Sequence, residues 1–190
     1  MTIEPSITGL DNSIRLVVVT TPEELQHAYA VRSICFMEDT GISVRRAFDG
    51  NDFQATHIVA YANDEPIGAT RIRWFNGFAK IERTAFRKAH RSARTLKQCS
   101  SFIFDHVAQK GYSQLITLAR RDFAMVWIRV LGFKQLSNRP VAIREGEAYL
   151  TLVKTLRPPE DAVSMESDPN VLMRIEGKWD VATAFEGDSF

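Results

Sequence analysis

Ala79-Lys80-Ile81-Glu82-Arg83-Thr84-Ala85-Phe86, then Arg87-Lys88-Ala89-His90-Arg91-Ser92-Ala93-Arg94, then Thr95-Leu96-Lys97-Gln98-Cys99 and on to Lys110: this stretch reads as a strand, a basic loop and a helix. The first piece is short, rich in strand formers and follows an Asn76-Gly77 turn. The last carries Leu96, Cys99, Ile103 and Val107 at the spacing of one buried helical face. Arg87, Lys88, His90, Arg91 and Arg94 lie just before and across the helix start. Free backbone N–H groups and the positive end of the helix dipole already favour an anion there, and the arginines strengthen that preference. An anionic ligand or partner is expected at this corner; a solvated basic loop is the plainer alternative.

Upstream, residues 14–20 form a β-branched run suited to a buried strand. Thr21-Pro22-Glu23-Glu24 then predicts a helix start, with threonine as N-cap, proline at the first helical position and Glu24 closing a capping box. Leu25, Ala28, Tyr29, Arg32, Cys35 and Phe36 follow at helical spacing. Arg32 is the cation in that stripe, and such a residue either snorkels to water or reaches an acid across a cleft. Residues 38–54 read as a loop containing Gly41 and Phe48-Asp49-Gly50-Asn51-Asp52, a spacing that matches no EF-hand. Residues 56–62, an Asn63-Asp64 turn, residues 67–75 and the strand from Ala79 predict a three-stranded antiparallel meander. Arg71 and Arg73 share one face of its second strand, and the plain role for Glu82 is a cross-strand ion pair with one of them.

Downstream, Gly111 ends the long helix, and residues 114–119 are an apolar strand. Asp122 is placed to cap a helix over residues 123–130, closed by Leu131-Gly132-Phe133. A strand from Lys134, a loop near Asn138-Arg139-Pro140 and a last strand over residues 148–153 complete the body. Pro158-Pro159 marks a break, which predicts a body over residues 1–157 and an acidic tail over residues 158–190. Val171, Leu172, Met173, Trp179 and Phe185 make that tail too apolar for a free linker, so it is expected to pack on the domain or on a neighbouring subunit, and a homodimer stays open.

Composition narrows the class. With 190 residues, 45% of them hydrophobic and 25% charged, the chain suits one well-buried core. No run of about 18 apolar residues exists, and the first residues lack the pattern of a signal peptide, so a cytoplasmic location is expected. The net charge of +1 hides an asymmetry: residues 156–190 carry eight acids against three basic residues, a net of −5, leaving +6 for the rest. The basic residues concentrate in one loop without interleaved aromatics, so nucleic acid is not the expected partner. Cys35 and Cys99 fall on apolar helix faces as small hydrophobes, and the four histidines show no metal-ligand spacing, so no metal is expected.

The order strand, helix, meander, basic loop and helix, strand, helix ending in Leu-Gly-Phe, then a strand pair resembles the GNAT superfamily of acyl-CoA N-acyltransferases over residues 14–155. Residues 81–86 running into the basic loop look like that family's pyrophosphate motif, and residues 126–133 look like its helix end. Arg32, Phe36 and Glu38, then Asp49-Gly50-Asn51-Asp52, His57, and residues 68–71 resemble one branch of it. The resemblance implies an α/β (α+β) fold with a central, mostly antiparallel sheet flanked by helices. It implies transfer of an acetyl or other acyl group from acyl-CoA to the amine of a small molecule. On it, Glu82 is the candidate base and a backbone N–H near Ala85 or Phe86 polarises the thioester carbonyl. Arg87, Arg91, Ser92, Ala93, Arg94 and Thr95 would hold the coenzyme, and Arg32, Phe36, Glu38, Asp49, Asp52 and Arg71 would line the acceptor side.

Two departures stand out. Arg91-Ser92-Ala93-Arg94-Thr95-Leu96 has no glycine where the family's pyrophosphate loop usually has one, and Ile128 falls where many relatives carry the tyrosine that protonates the leaving thiolate. A second resemblance is to acyl-homoserine lactone and long-chain N-acyl amino acid synthases of the same fold, which draw on acyl carrier protein. Arg32, Phe36, Asp49, Asp52, Arg71 and Arg83 carry it, while Ala47 and Lys80 depart from it. A third reading is a non-enzymatic, partner-binding member of the fold.

Overall fold

The computed structural model describes residues 14–136, 141–144 and 147–187. Strand β1 (Ile14–Val18) leads into α1 (Pro22–Arg32), whose Thr21 cap accepts the Glu24 N–H while the Glu24 carboxylate accepts the Thr20 and Thr21 N–H groups. The helix does not stop at Arg32. It widens into a π-turn (Ser33–Glu38), recorded by the Asp39 N–H to Ile34 carbonyl bond of 3.0 Å. The segment read as a loop holds a short helix α2 (Val44–Ala47) and a 3₁₀ turn (Asp52–Gln54). Strands β2 (Thr56–Ala62), β3 (Glu65–Phe75) and β4 (Phe78–Phe86) form the expected meander, with positive φ at both Asn63 and Asp64 in its first turn.

A 3₁₀ turn (Lys88–His90) then opens α3 (Ala93–Gln109), followed by β5 (Gln114–Arg120) and α4 (Arg121–Leu131). The expected Asp122 cap is not formed. The chain turns from strand to helix in one step at Arg120, and Asp122 sits in the first turn, 3.0 Å from Arg120 Nη2, where an acid suits the helix dipole. Gly132 closes α4 at φ 73°, with the Phe133 N–H reaching the Trp127 carbonyl. The strand from Lys134 is only two residues long (β6, Lys134–Gln135). An unforeseen β7 (Val141–Arg144) precedes β8 (Glu147–Thr155), and the Asn138-Arg139-Pro140 loop lies outside the described residues.

The sheet runs β1-β2-β3-β4-β5-β8-β6, with β7 also on β8, and every pairing is antiparallel except β4 with β5. The β4–β5 pairing covers only Ala79–Ile81 against Leu115–Thr117, so the two strands part beyond Ile81 and leave a wedge. The two faces of the sheet also differ in chemistry. Ile58, Ile72 and Ile81 pack with Ile103 and Val107 of α3 in the larger core. Val59, Ala69 and Ala85 on the opposite face meet Ala28, Val31 and Cys35 of the first helix.

Residues 158–187 return across the α3 face. Asp168 caps the short helix α5 (Pro169–Leu172), and Gly177, at φ 79°, comes so close to β1 that a Cβ there would meet Val18 at 2.5 Å. Glu176 Oε1 accepts from Thr56 Oγ1 (2.8 Å) and His106 Nε2 (3.2 Å), with Lys110 Nζ at 3.1 Å. Burial would raise the Glu176 pKa, but those hydrogen bonds and the lysine charge outweigh it and lower the value from 4.5 to about 2. A depressed folded-state pKa contributes stability that is complete above about 4.5 and lost as the pH falls toward about 2. Glu176→Gln should therefore unfold at a lower temperature than wild type near neutral pH, and the gap should close across that acid window in thermal melts run as a pH series.

Candidate active site

On the α1 face of β3 and β4, a run of charged side chains is enclosed where the sequence pattern alone would place core. Arg32 and Arg71 are both 0% exposed. Arg32 takes the second of the two roles open to it. Its Nη1 donates to Asp52 Oδ1 (2.6 Å), its Nη2 donates to Asp52 Oδ2 and to the Ala47 carbonyl, and the Tyr29 and Phe48 rings face its guanidinium at 5.5 and 4.7 Å. Arg71 donates to Asp49 through both terminal nitrogens (2.7 and 2.9 Å), to Asp52 Oδ1 (2.9 Å) and to Glu82 Oε2 (3.0 Å). The 38–54 segment is thereby clamped to the sheet by two aspartates. Asp49 also fills the turn role of its loop, accepting the Asn51 N–H at 3.2 Å.

The charges set the protonation states. Hydrogen bonds from Arg71 hold the Asp49 carboxyl well below the usual carboxylate range against the opposing effect of burial. Burial works to raise Asp52, but the Arg32 and Arg71 hydrogen bonds prevail and lower it. Burial lowers the His57 pKa, so its ring is neutral, with Nε2 donating to the Asp52 carbonyl at 3.0 Å and Nδ1 buried without a partner.

Glu82 faces Arg71 in register across the two strands, the ion pair anticipated for it, and Arg73 and Lys80 flank it at 3.7 and 3.6 Å. Only Oε2 is engaged by hydrogen bonding; Oε1 is buried with no partner. Immediately beyond Glu82 the register with β3 slips, so Arg83 and Thr84 together oppose Thr70. This β-bulge is fastened by the Thr70–Thr84 hydroxyl pair at 2.7 Å. Arg83 adopts φ +57°, an uncommon conformation for a side chain of its size, and its Nη2 donates to Asp49 Oδ2 at 2.8 Å. The bulge is why Glu82 and Ala85, an odd number of residues apart, share a face.

The bulge also decides which backbone group reaches the wedge. The Arg87 N–H bonds the Ile67 carbonyl, so by strand alternation the Ala85 N–H also faces β3, while the Phe86 N–H faces the gap toward β5. Of the two backbone donors suggested by sequence, Phe86 is the one aimed into the wedge. Its ring lies against Gly68, where an added Cβ would meet it at 2.5 Å.

At the end of β4 the basic loop leads into α3. Ser92 spends its side chain on the Thr95 N–H (3.0 Å), leaving the exposed Ala93 and Arg94 N–H groups at the helix start without intrahelical partners. Thr95 is buried, its hydroxyl paired with Ser92, and supports the cap rather than facing outward. Arg91 Nε donates to the Phe86 carbonyl (2.6 Å), and Asp39 accepts from Arg91 Nη2 and pairs with Lys88 Nζ (3.0 Å). The loop is therefore folded onto the first helix's π-turn by an acid that sequence reading did not single out. Nothing local to Asp39 marks it, since its partners lie about fifty residues away. Arg87 reaches Glu65, while Arg94 is exposed with no partner among the described residues. Of the other predicted site residues, Phe36 packs in the smaller core and Glu38 is exposed at the end of the π-turn. Cys35 and Cys99 are buried thiols whose pKa burial raises, Cys99 to about 12. Among the described residues no metal-ligand cluster occurs, and no helix is long and apolar enough to cross a membrane. An open cleft of about 560 Å³ lies on the other face, between α3 and the tail, lined by Asp105, Gln109 and Trp179 among others and by none of these site residues.

Removing one partner of a buried pair leaves an uncompensated charge, which costs about 3–5 kcal/mol. Asp52→Ala, which strips Arg32 of its carboxylate and takes one of three from Arg71, should lose stability of that order in urea unfolding with the slope on denaturant unchanged.

No family model matches the sequence. The chain is 32% identical over 141 residues to YjcF, described as an uncharacterized N-acetyltransferase of Bacillus subtilis strain 168, covering 74% of this chain and 99% of that protein. Its fold matches the crystal structure of a provisionally assigned N-acetyltransferase from Lactobacillus plantarum, with TM-score 0.70, 23% identity and 76% and 99% of the two chains covered. An aminoglycoside 6'-N-acetyltransferase solved with coenzyme A matches with TM-score 0.61, 12% identity and coverage of 77% and 99%. Sequence relationship and fold agree, and the chain belongs to the GNAT superfamily of acyl-CoA N-acyltransferases.

Proposed function

We propose that this acyltransferase moves an acetyl or other acyl group from acyl-CoA to the amine of a small molecule, with Glu82 as the base. The observation that carries the reading is the divided carboxylate of Glu82. Arg71 fixes Oε2, and Oε1 is left buried without a hydrogen bond, with Arg73 Nη1 3.7 Å away, at the residue where β4 and β5 begin to part. A fixed carboxylate oxygen with a free lone pair, at the mouth of a gap, is the geometry a general base needs.

The residues at the end of β4 fit the coenzyme, although no glycine is present. Small side chains at Ser92 and Ala93 and the free N–H groups of Ala93 and Arg94 suit a pyrophosphate at the helix start, and Arg94 adds exposed positive charge beside the half-buried Arg87, which pairs with Glu65. Bound acyl-CoA supplies the acyl group as a thioester, whose C–S bond breaks as the new N–C bond forms. The Phe86 N–H is aimed to stabilise the oxyanion, and Glu82 Oε1 takes the amine proton. Ile128 has no ionisable proton to give, so the departing thiolate takes its proton from another acid or from water.

Two measurements test this. Glu82→Gln should bind acetyl-CoA as wild type does in calorimetry while kcat falls about 10²–10⁴-fold, the usual worth of a general base. Arg94→Ala should weaken acetyl-CoA about tenfold or more, as loss of a charged hydrogen bond does, and more than Arg91→Ala, whose guanidinium is already held by Asp39 and Phe86. Unchanged turnover in the first variant would remove Glu82 from the mechanism, and unchanged affinity in both arginine variants would remove the loop.

A further inference from the structure

The charges around Glu82 do not balance, and the imbalance describes the acceptor. Among the described residues five cations, Arg32, Arg71, Arg73, Lys80 and Arg83, share ion pairs with three carboxylates, Asp49, Asp52 and Glu82. His57, neutral, adds nothing to either side. The surplus is not in the sealed part of the network, where Arg32 and Arg71 are spent on the two aspartates and Glu82. It lies on the members that reach solvent: the side chains of Arg73, Lys80 and Arg83 are 26%, 19% and 28% exposed.

Arg83 is the one of the three whose guanidinium is fixed in place, while Arg73 and Lys80 reach Glu82 only at 3.7 and 3.6 Å. Among the described residues it donates to Asp49 Oδ2, an oxygen it shares with Arg71 Nη2, and its buried Nε has no hydrogen-bond partner. Burial, with Arg71 nearby, lowers its pKa, as expected for a cation with too little counter-charge. It is also the residue held at φ +57° in the bulge. A strained backbone that presents an under-compensated guanidinium beside a carboxylate with a free oxygen is a paired site: an anion for the arginine, an amine for the glutamate. The phosphate cradle of the basic loop begins past Phe86, beyond the end of β4, and has its own cations, so this reading leaves the surplus to the acceptor.

We propose that the acceptor is an amino acid or similar amine bearing a carboxylate, its carboxylate received by Arg83 with Arg73 on the other flank, and its amine meeting Glu82 Oε1. This rests on the N-acyltransferase reading and adds the acceptor's second charge. A single uncharged amine would leave two positive charges facing it. A carboxylate supplies a bidentate partner to a guanidinium that has donors to spare, and it orients the amine at the same time.

The test uses the full chain with acetyl-CoA, following thiol release and confirming product by mass. The twenty common amino acids are set against their carboxamides and against ethanolamine phosphate, which carries the same sign of charge on a different group. At least one amino acid should show kcat/KM tenfold or more above its own amide. Arg83→Ala should erase that preference, chiefly through KM for the acid, leave the amide within about twofold, and be partly rescued by Arg83→Lys. Arg73→Ala should reduce the preference less. Because acid and amide are compared within one variant, a folding defect cannot mimic the result. Amides acetylated as well as acids, ethanolamine phosphate as the best acceptor, or equal losses for acid and amide in both arginine variants would each overturn the proposal. Failure of the underlying reading looks different: no acetylated product from any amine, polyamines and peptides included.

Discussion

A guanidinium without water must find its counter-charge in protein, and Arg71 does so through its two terminal nitrogens, which hold three carboxylates at once while its Nε goes unpaired. An isolated charge in that position would cost several kcal/mol, so the aspartates of the 38–54 segment are required where they are. Once they are there, the segment has one place to lie. The Asp49–Gly50–Asn51 turn, the 3₁₀ turn beginning at Asp52 and the buried end of α1 all converge on the same strand. The geometry of the glutamate follows too, because an oxygen held by Arg71 fixes the direction of the other.

The fold was legible because its signals are local and repeated. The capping box at Thr21, the Asn63-Asp64 and Asn76-Gly77 turns, the apolar stripe of α3 and the Gly132 stop each state their element within a few residues. What escaped was set by contacts between distant parts. Helix α4 begins at Arg121 without a side-chain cap because strand β5 delivers the chain directly into it, so a search for a capping residue misplaces the start by two residues. Strand β7 exists because β8 offers an edge, not because residues 141–144 announce one on their own.

The site was half legible for the same reason. The residue types and their order pointed to Arg32, Asp49, Asp52, Arg71 and Glu82, and the GNAT resemblance grouped them. Alternation could not reveal on which side of β4 each residue falls, because one inserted residue at Arg83 reverses the phase. Nor could it show that Asp39 ties down the arginine expected to be free for phosphate. An acid whose partners lie fifty residues along the chain leaves no local trace, whereas a basic run is conspicuous even after half of it has been neutralised.

The returning tail has a bearing on how the molecule assembles and opens. The bond from Thr56 to Glu176 joins residues 120 positions apart, and the Gly177 backbone lies against the first strand of the sheet. Closing so long a loop requires its binding surface to exist beforehand, so the tail docks late, after the meander and α3 have come together. Its main attachment is a polar hub rather than a deep apolar contact, and such a segment detaches as its own cooperative unit below the free energy of global unfolding. In hydrogen exchange the amides of residues 158–187 are therefore expected to form a less protected layer, whose opening would bare the outer surface of α3 and leave the ion cluster on the opposite face closed.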